Sequence, residues 1–201
     1  MVVMKYFLCN LYWVLFIIGL CACSDSDSPS GGGEDASVLV DSRDSRSYKT
    51  MEIGGRIWMA ENLNYFDEAD SLYSRTHCFN DSAAYCEKQG RLYAWNVAMI
   101  ACPVGFELPS KADFDSLLVS VGGGVSAADS LIARGFITDI HGGYYFMGYS
   151  SFFDEYAYFW TRDEVRANNA RSVMLENGHS SVSYDETLEE FGLSVRFIKK
   201  Q

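Results

Sequence analysis

The chain has 201 residues, of which 48% are hydrophobic, 15% aromatic and 21% charged. Those fractions exclude a disordered or collagen-like chain, and a domain of this size can bury one core without a metal or a staple. Sixteen Lys and Arg against 27 Asp and Glu leave a formal charge of −11, which argues against a nucleic-acid partner.

Lys5 gives the N-terminus a positive charge, and residues 6–20 form a strongly apolar run broken only by Asn10. The run suits the hydrophobic region of a signal peptide and falls short of the ~20 residues that cross a bilayer. It ends in Leu20-Cys21-Ala22-Cys23, which resembles the bacterial lipoprotein box. The resemblance implies cleavage before Cys23, acylation of that residue and a membrane hold through its acyl chains, each ~0.8 kcal/mol per buried CH₂. Residues 1–22 are thus expected to be the signal peptide. Residues 23–47 are expected to be a lipidated Cys followed by a flexible tether, because 24–35 are Ser, Gly, Asp and Glu apart from one Pro. The acidic stretch is similar to those that route many bacterial lipoproteins to the outer face of the outer membrane. A domain over residues 48–201 completes the expected organisation.

In that domain, alternation from Tyr48, the Gly54-Gly55 pair and an apolar return over 56–60 predict a hairpin. Residues 91–101 read as a helix with Leu92, Trp95, Ala98 and Met99 on one face. Ser110 as N-cap, Asp113, and the Phe114, Leu117, Leu118 and Val121 stripe predict a second, stopped by Gly122. A weaker helix is expected over 127–134. Strands are expected over 143–149, 156–161, 171–175, 182–184 and 193–198. In the last, Leu193, Val195 and Phe197 would face the core, leaving Ser194 and Arg196 off it. Helices first and antiparallel strands after them give an α+β fold.

Five phrases, in order, resemble one family: Met59-Ala-Glu-Asn-Leu-Asn-Tyr65, Cys86-Glu-Lys-Gln-Gly-Arg-Leu-Tyr-Ala-Trp95, Ala101-Cys-Pro-Val-Gly-Phe-Glu-Leu-Pro-Ser110, Tyr158-Phe-Trp-Thr161 and Phe191-Gly-Leu-Ser-Val-Arg-Phe197. Over about residues 48–199 they look like the Fibrobacter succinogenes major paralogous domain, found mostly in secreted or lipid-anchored bacterial proteins. The resemblance implies a C-type-lectin-like fold, shared with formylglycine-generating enzymes, with two main helices flanking a mixed sheet. It implies no activity. Where the family usually has Trp and His, this chain has Phe106 and Glu107.

An exported chain meets oxidising conditions. Cys78–Cys86 is the favoured bridge, with Cys86–Cys102 or no bridge as alternatives. His77, His141 and His179 have no metal-ligand spacing, so no metal site is expected. The acidic groups at 67–70, 154–155, 163–164 and 185–186 have the oxygen chemistry of calcium ligands. They lack a lectin calcium signature, however, and read as solvated surface, so no cofactor is expected. The C-terminal third contains no Cys, which excludes the two-cysteine oxidase site of the formylglycine-generating enzymes. Residues 142–149 and 152–160 are dense in aromatic side chains, and alternation would bury only about half of them. Tyr144, Tyr145 and Trp160, with Arg162 beside them, are the candidate ligand-binding residues. Together these features predict a non-catalytic binding or adhesion module on a lipid-anchored surface protein, with polysaccharide or another envelope protein as partner. A purely structural envelope role, or an enzyme with an unrecognised site, stands as the alternative.

Overall fold

The computed structural model describes residues 37–138 and 140–201. The expected signal peptide, Cys23 and the Ser/Gly stretch fall outside the described residues. The first described strand, β1 (Ser37–Val40), pairs antiparallel with β2 (Ser47–Ile53), so the fold takes in residues expected to belong to the tether. The reason is local: Asp41 is buried and receives both the backbone N–H and the guanidinium of Arg43, which pins the turn between the two strands. The Gly54-Gly55 pair, at φ +63° and +73°, closes β2 onto β3 (Arg56–Met59), as the sequence predicts.

Between this hairpin and residue 144 lie four α-helices, three short 3-10 helices and three two-residue strands among the described residues. Strand β4 (Thr76–His77) pairs with β5 (Leu92–Tyr93), and β6 (Phe106–Glu107) joins the first sheet. Helix α1 (Ala83–Gln89) carries Cys86, whose bridge to Cys78 is formed with the two Cα atoms 5.1 Å apart. Cys102 stays a free thiol, partly buried against the core, and burial raises its pKa. The single helix expected over 91–101 is instead β5 followed by the short α2 (Trp95–Ala98). Leu92 and Tyr93 are taken by strand pairing, and Tyr93 also exchanges backbone hydrogen bonds with Leu193. Helix α3 (Lys111–Ser120) follows expectation: Ser110 and Asp113 form a reciprocal capping box, and Phe114 and Leu117 are buried. Helix α4 (Ala127–Ala133) buries Ala127, Ala128 and Leu131.

The hairpin of β7 (Tyr144–Phe146) and β8 (Tyr149–Ser151) precedes an antiparallel sheet of β9 (Tyr156–Arg166), β10 (Asn169–Glu176) and β11 (Val182–Leu188). Strand β12 (Ile198–Lys199) completes a five-stranded sheet in the order β1-β2-β3-β12-β6. The architecture is α+β and mainly antiparallel. Among the described residues no single helix is long and apolar enough to cross a membrane.

Two apolar cores hold these layers. The first gathers Met59, Leu63, Tyr93, Phe106, Trp160, Val195 and Phe197; the second gathers Trp58, Phe114, Leu117, Phe136, Phe159 and Val173. Phe159 and Trp160 are neighbours on β9, so that strand runs between both cores. The closing segment is also buried on both sides. Ser194 and Arg196, expected off the core, are 2% and 6% exposed. The expected alternation fails because 191–197 threads past Tyr93, Tyr145 and Phe159 instead of lying at a surface.

Candidate ligand-binding face

On β9, residues 157 and 159 point into the second core, which turns Tyr156 and Tyr158 the other way. The β7–β8 hairpin docks beside them. Gly143 sits at φ +52°, and a Cβ there would lie 1.9 Å from the Ser151 carbonyl oxygen, so only glycine lets the hairpin close this tightly. Its N–H donates to the Tyr156 carbonyl at 2.9 Å. The docking brings Tyr144 within 6.1 Å of the Tyr158 ring and 5.6 Å of the Phe152 ring. Phe152 lies 5.5 Å from Tyr156, which is 5.7 Å from Tyr158. Four rings thus close a circuit. Tyr144 extends it to Phe191 at 4.9 Å, which in turn stacks on Phe146 at 4.0 Å.

This aromatic face is where the first core reaches the surface. Tyr144, Tyr158 and Phe191 are only partly buried against that core, and Phe152 is 43% exposed. Phe152 holds φ at +60°, a region that costs a bulky side chain on the order of 1–3 kcal/mol. Its carbonyl accepts from the N–H groups of Glu155 and Tyr156, which fixes the turn that presents the ring.

Carboxylates flank the rings. The Tyr156 hydroxyl donates to Glu176 at 3.4 Å, and the Glu176 charge is the main reason that phenol's pKa is raised. Burial, with Tyr156 and Asp185 adding to it, pushes the Tyr158 phenol up to about 12. Both phenols are therefore neutral hydrogen-bond donors at neutral pH, set among apolar rings and two acceptor groups. Such a surface can stack on the apolar faces of a sugar or of an aromatic side chain while its rim exchanges hydrogen bonds with hydroxyl groups.

The four residues singled out in the sequence do not form one site. Tyr144 belongs to the circuit. Tyr145 projects from the other side of its hairpin and stacks on His77, with ring centroids 3.6 Å apart. Trp160 is 0% exposed and donates its indole N–H to the Tyr93 carbonyl at 2.7 Å, so it is a core residue and offers no stacking surface. It shares strand parity with Tyr156 and Tyr158, but β5 and the closing segment cover it. Arg162 is exposed within a bulge in β9 and pairs with Glu107 at 2.9 Å. Asp163, in one of the acidic pairs, accepts from the Lys111 N–H at the start of α3. Among the described residues no three His, Cys, Asp or Glu converge as a metal site. Phe152, Tyr156 and Tyr158 were the residues missed. Their signal is the odd–even alternation along β9, readable once Ala157 and Phe159 are known to face inward.

Residues 51–145 match the family model of the Fibrobacter succinogenes major domain. Over that range the chain is similar to the Fibrobacter succinogenes major domain. The matched range runs from β2 to the first strand of the aromatic hairpin, so of the ring circuit only Tyr144 lies inside it. The matched range thus takes in the helices and the first hairpin, while β9 to β12, which complete both cores, and most of the aromatic face follow it. No curated protein and no solved structure matches the chain.

Proposed function

We propose that this protein is a lipoprotein held in the outer membrane through Cys23 and facing the cell exterior, whose aromatic face is a non-catalytic binding or adhesion module for polysaccharide or another envelope protein. The observation that carries the reading is the surface circuit of Tyr144, Phe152, Tyr156 and Tyr158. Contiguous exposed apolar surface rimmed by polar groups is uncommon on a solitary domain and suits a partner. The net charge of −11 disfavours nucleic acid as that partner.

Co-sedimentation of residues 37–201, the span that holds the described strands and both cores, with insoluble cellulose, xylan and peptidoglycan, with and without calcium, tests the binding half of the proposal. Pelleting with one of them is expected. Tyr158→Ala should weaken it at least about tenfold with the fold intact, the loss typical of an interface anchor. No pelleting with any polymer, together with no capture of an envelope protein that depends on Tyr158, would leave a purely structural role. The anchor is tested by intact mass of membrane-extracted protein. An acylated chain beginning at Cys23 is expected; an unmodified chain beginning at Met1 would overturn it.

A further inference from the structure

Arg196 is 6% exposed, and no carboxylate among the described residues pairs with it. Its Nε donates to Asn62 Oδ1 at 2.7 Å and Nη1 donates to the Phe136 carbonyl. The rings of Phe136 and Phe159 flank the guanidinium carbon at 5.0 and 5.2 Å. Nη2 donates to no described residue. A guanidinium stays charged at neutral pH, and burying a charge without a counter-ion is unfavourable. Burial even pulls the Arg196 pKa down to about 9. The one carboxylate whose charge acts on it among the described residues, Glu61, is already engaged: it accepts the Lys49 N–H at 2.8 Å and faces Lys49 Nζ at 3.8 Å.

The same arginine lines a cavity of about 300 Å³. Around it stand Asn62, Asn64, Gln89 and Ser47, with Lys88 from the last turn of α1. Arg46 and Glu87, also in the wall, neutralise one another at 2.9 Å, and Lys49 and Glu61 do likewise. Arg196 and Lys88 remain, and neither makes an ion pair with a described residue. In a chain of net charge −11, this cavity is a positive spot, and none of its lining residues belongs to the aromatic face.

We propose that this cavity is a second ligand site, which takes the carboxylate of a sugar acid against Arg196. Three features select that class. The Nη2 group of Arg196, which has no described acceptor, offers a charged donor to a carboxylate oxygen. Amide and hydroxyl side chains in the wall both donate and accept, as ring hydroxyls require. The volume holds about one sugar ring, near the lower end of small-molecule sites. Lys88 at the rim draws the anion in.

Calorimetric titration of the full chain in detergent with D-glucuronate, beside D-glucose, acetate and inorganic phosphate, tests this. Glucuronate is expected to bind, and glucose and acetate to bind at least about tenfold more weakly, since each lacks one half of the recognition. Arg196→Met should abolish the heat of binding. Because that variant risks the fold, Asn64→Ala and Lys88→Ala are the companions, and each should weaken glucuronate by about two- to fivefold. Tyr158→Ala should leave this titration unchanged. The proposal is overturned if glucuronate binds no better than glucose, if the Asn64 and Lys88 variants both titrate as the parent does, or if phosphate binds and glucuronate does not.

Discussion

Replacing Trp160 with Ala is expected to unfold the domain at a temperature at least about ten degrees lower, while replacing Tyr158, two residues away on the same side of the strand, is not. Trp160 is 0% exposed in the first core, and truncating such a ring costs about 3–5 kcal/mol. The change also strands the Tyr93 carbonyl, which receives the indole N–H at 2.7 Å, and an orphaned buried acceptor adds about 1–3 kcal/mol. Against a total stability of roughly 5–15 kcal/mol, that is a large share, and each kcal/mol moves the midpoint of a domain this size by roughly 2–4 °C. A second indole works in the opposite sense: Trp95 donates to the Thr161 carbonyl at 2.8 Å. The two tryptophans therefore stitch β9 to the β5–α2 segment from both sides. Thermal unfolding followed by circular dichroism checks the contrast. If Trp160→Ala left the midpoint unchanged but abolished polymer binding, Trp160 would be a surface residue and the placement of the closing segment would be wrong.

That contrast also shows which parts of the molecule its sequence discloses. The Gly54-Gly55 turn and the Ser110–Asp113 box are local devices whose partners lie within a few residues, so residue type and spacing announce them. The parity of Tyr156, Tyr158 and Trp160 is local too. What covers one of the three and leaves the others at the surface is not: the lid over Trp160 is Tyr93 and Ser194, brought from both directions along the chain. Arg196 misleads for the same reason. In an isolated strand, an Arg between Val195 and Phe197 belongs on the wet face, yet here that face meets Asn62 and the Phe136 carbonyl. Helix α1 was not anticipated because its seven residues bury only Cys86 and so present no apolar stripe. Site composition was thus legible as a density of aromatic residues, and its geometry depended on contacts that only the folded chain creates.

The other large effect is expected at Asp41. Its carboxylate is 1% exposed and receives Arg43 through Nε at 2.9 Å and Nη2 at 2.6 Å, besides the Arg43 N–H at 3.1 Å. The same guanidinium donates to the Ala101 carbonyl at 2.9 Å and lies 3.8 Å from the centre of the Tyr65 ring. One turn thereby fastens β1 to β2 and to the first core. Asp41→Ala removes a charged acceptor from three donors and should cost about 3 kcal/mol in urea unfolding at neutral pH. The pH dependence has a definite sign. Burial opposes ionisation of Asp41, but the hydrogen bonds and charge of Arg43 outweigh it, and the folded pKa lies below the ordinary value. Its contribution is therefore present above the unfolded pKa of about 3.9 and disappears as pH falls through the lower folded value. Asp113 behaves alike: burial is outweighed by its bonds to Ser110 and by Arg56 and Arg162. The parent should lose stability below about pH 4, and Asp41→Ala should lose less over the same interval because part of that loss has already been taken. Equal acid slopes in parent and variant would mean that Asp41 titrates normally and that the turn is held by its backbone alone. The place matters for function. If the chain is tethered at Cys23 as proposed, a pull on a bound polymer reaches the described residues at Ser37, and the Asp41–Arg43 clasp adds to the Ser37–Thr50 hydrogen bond and the packing of Leu39 in tying that load to the core.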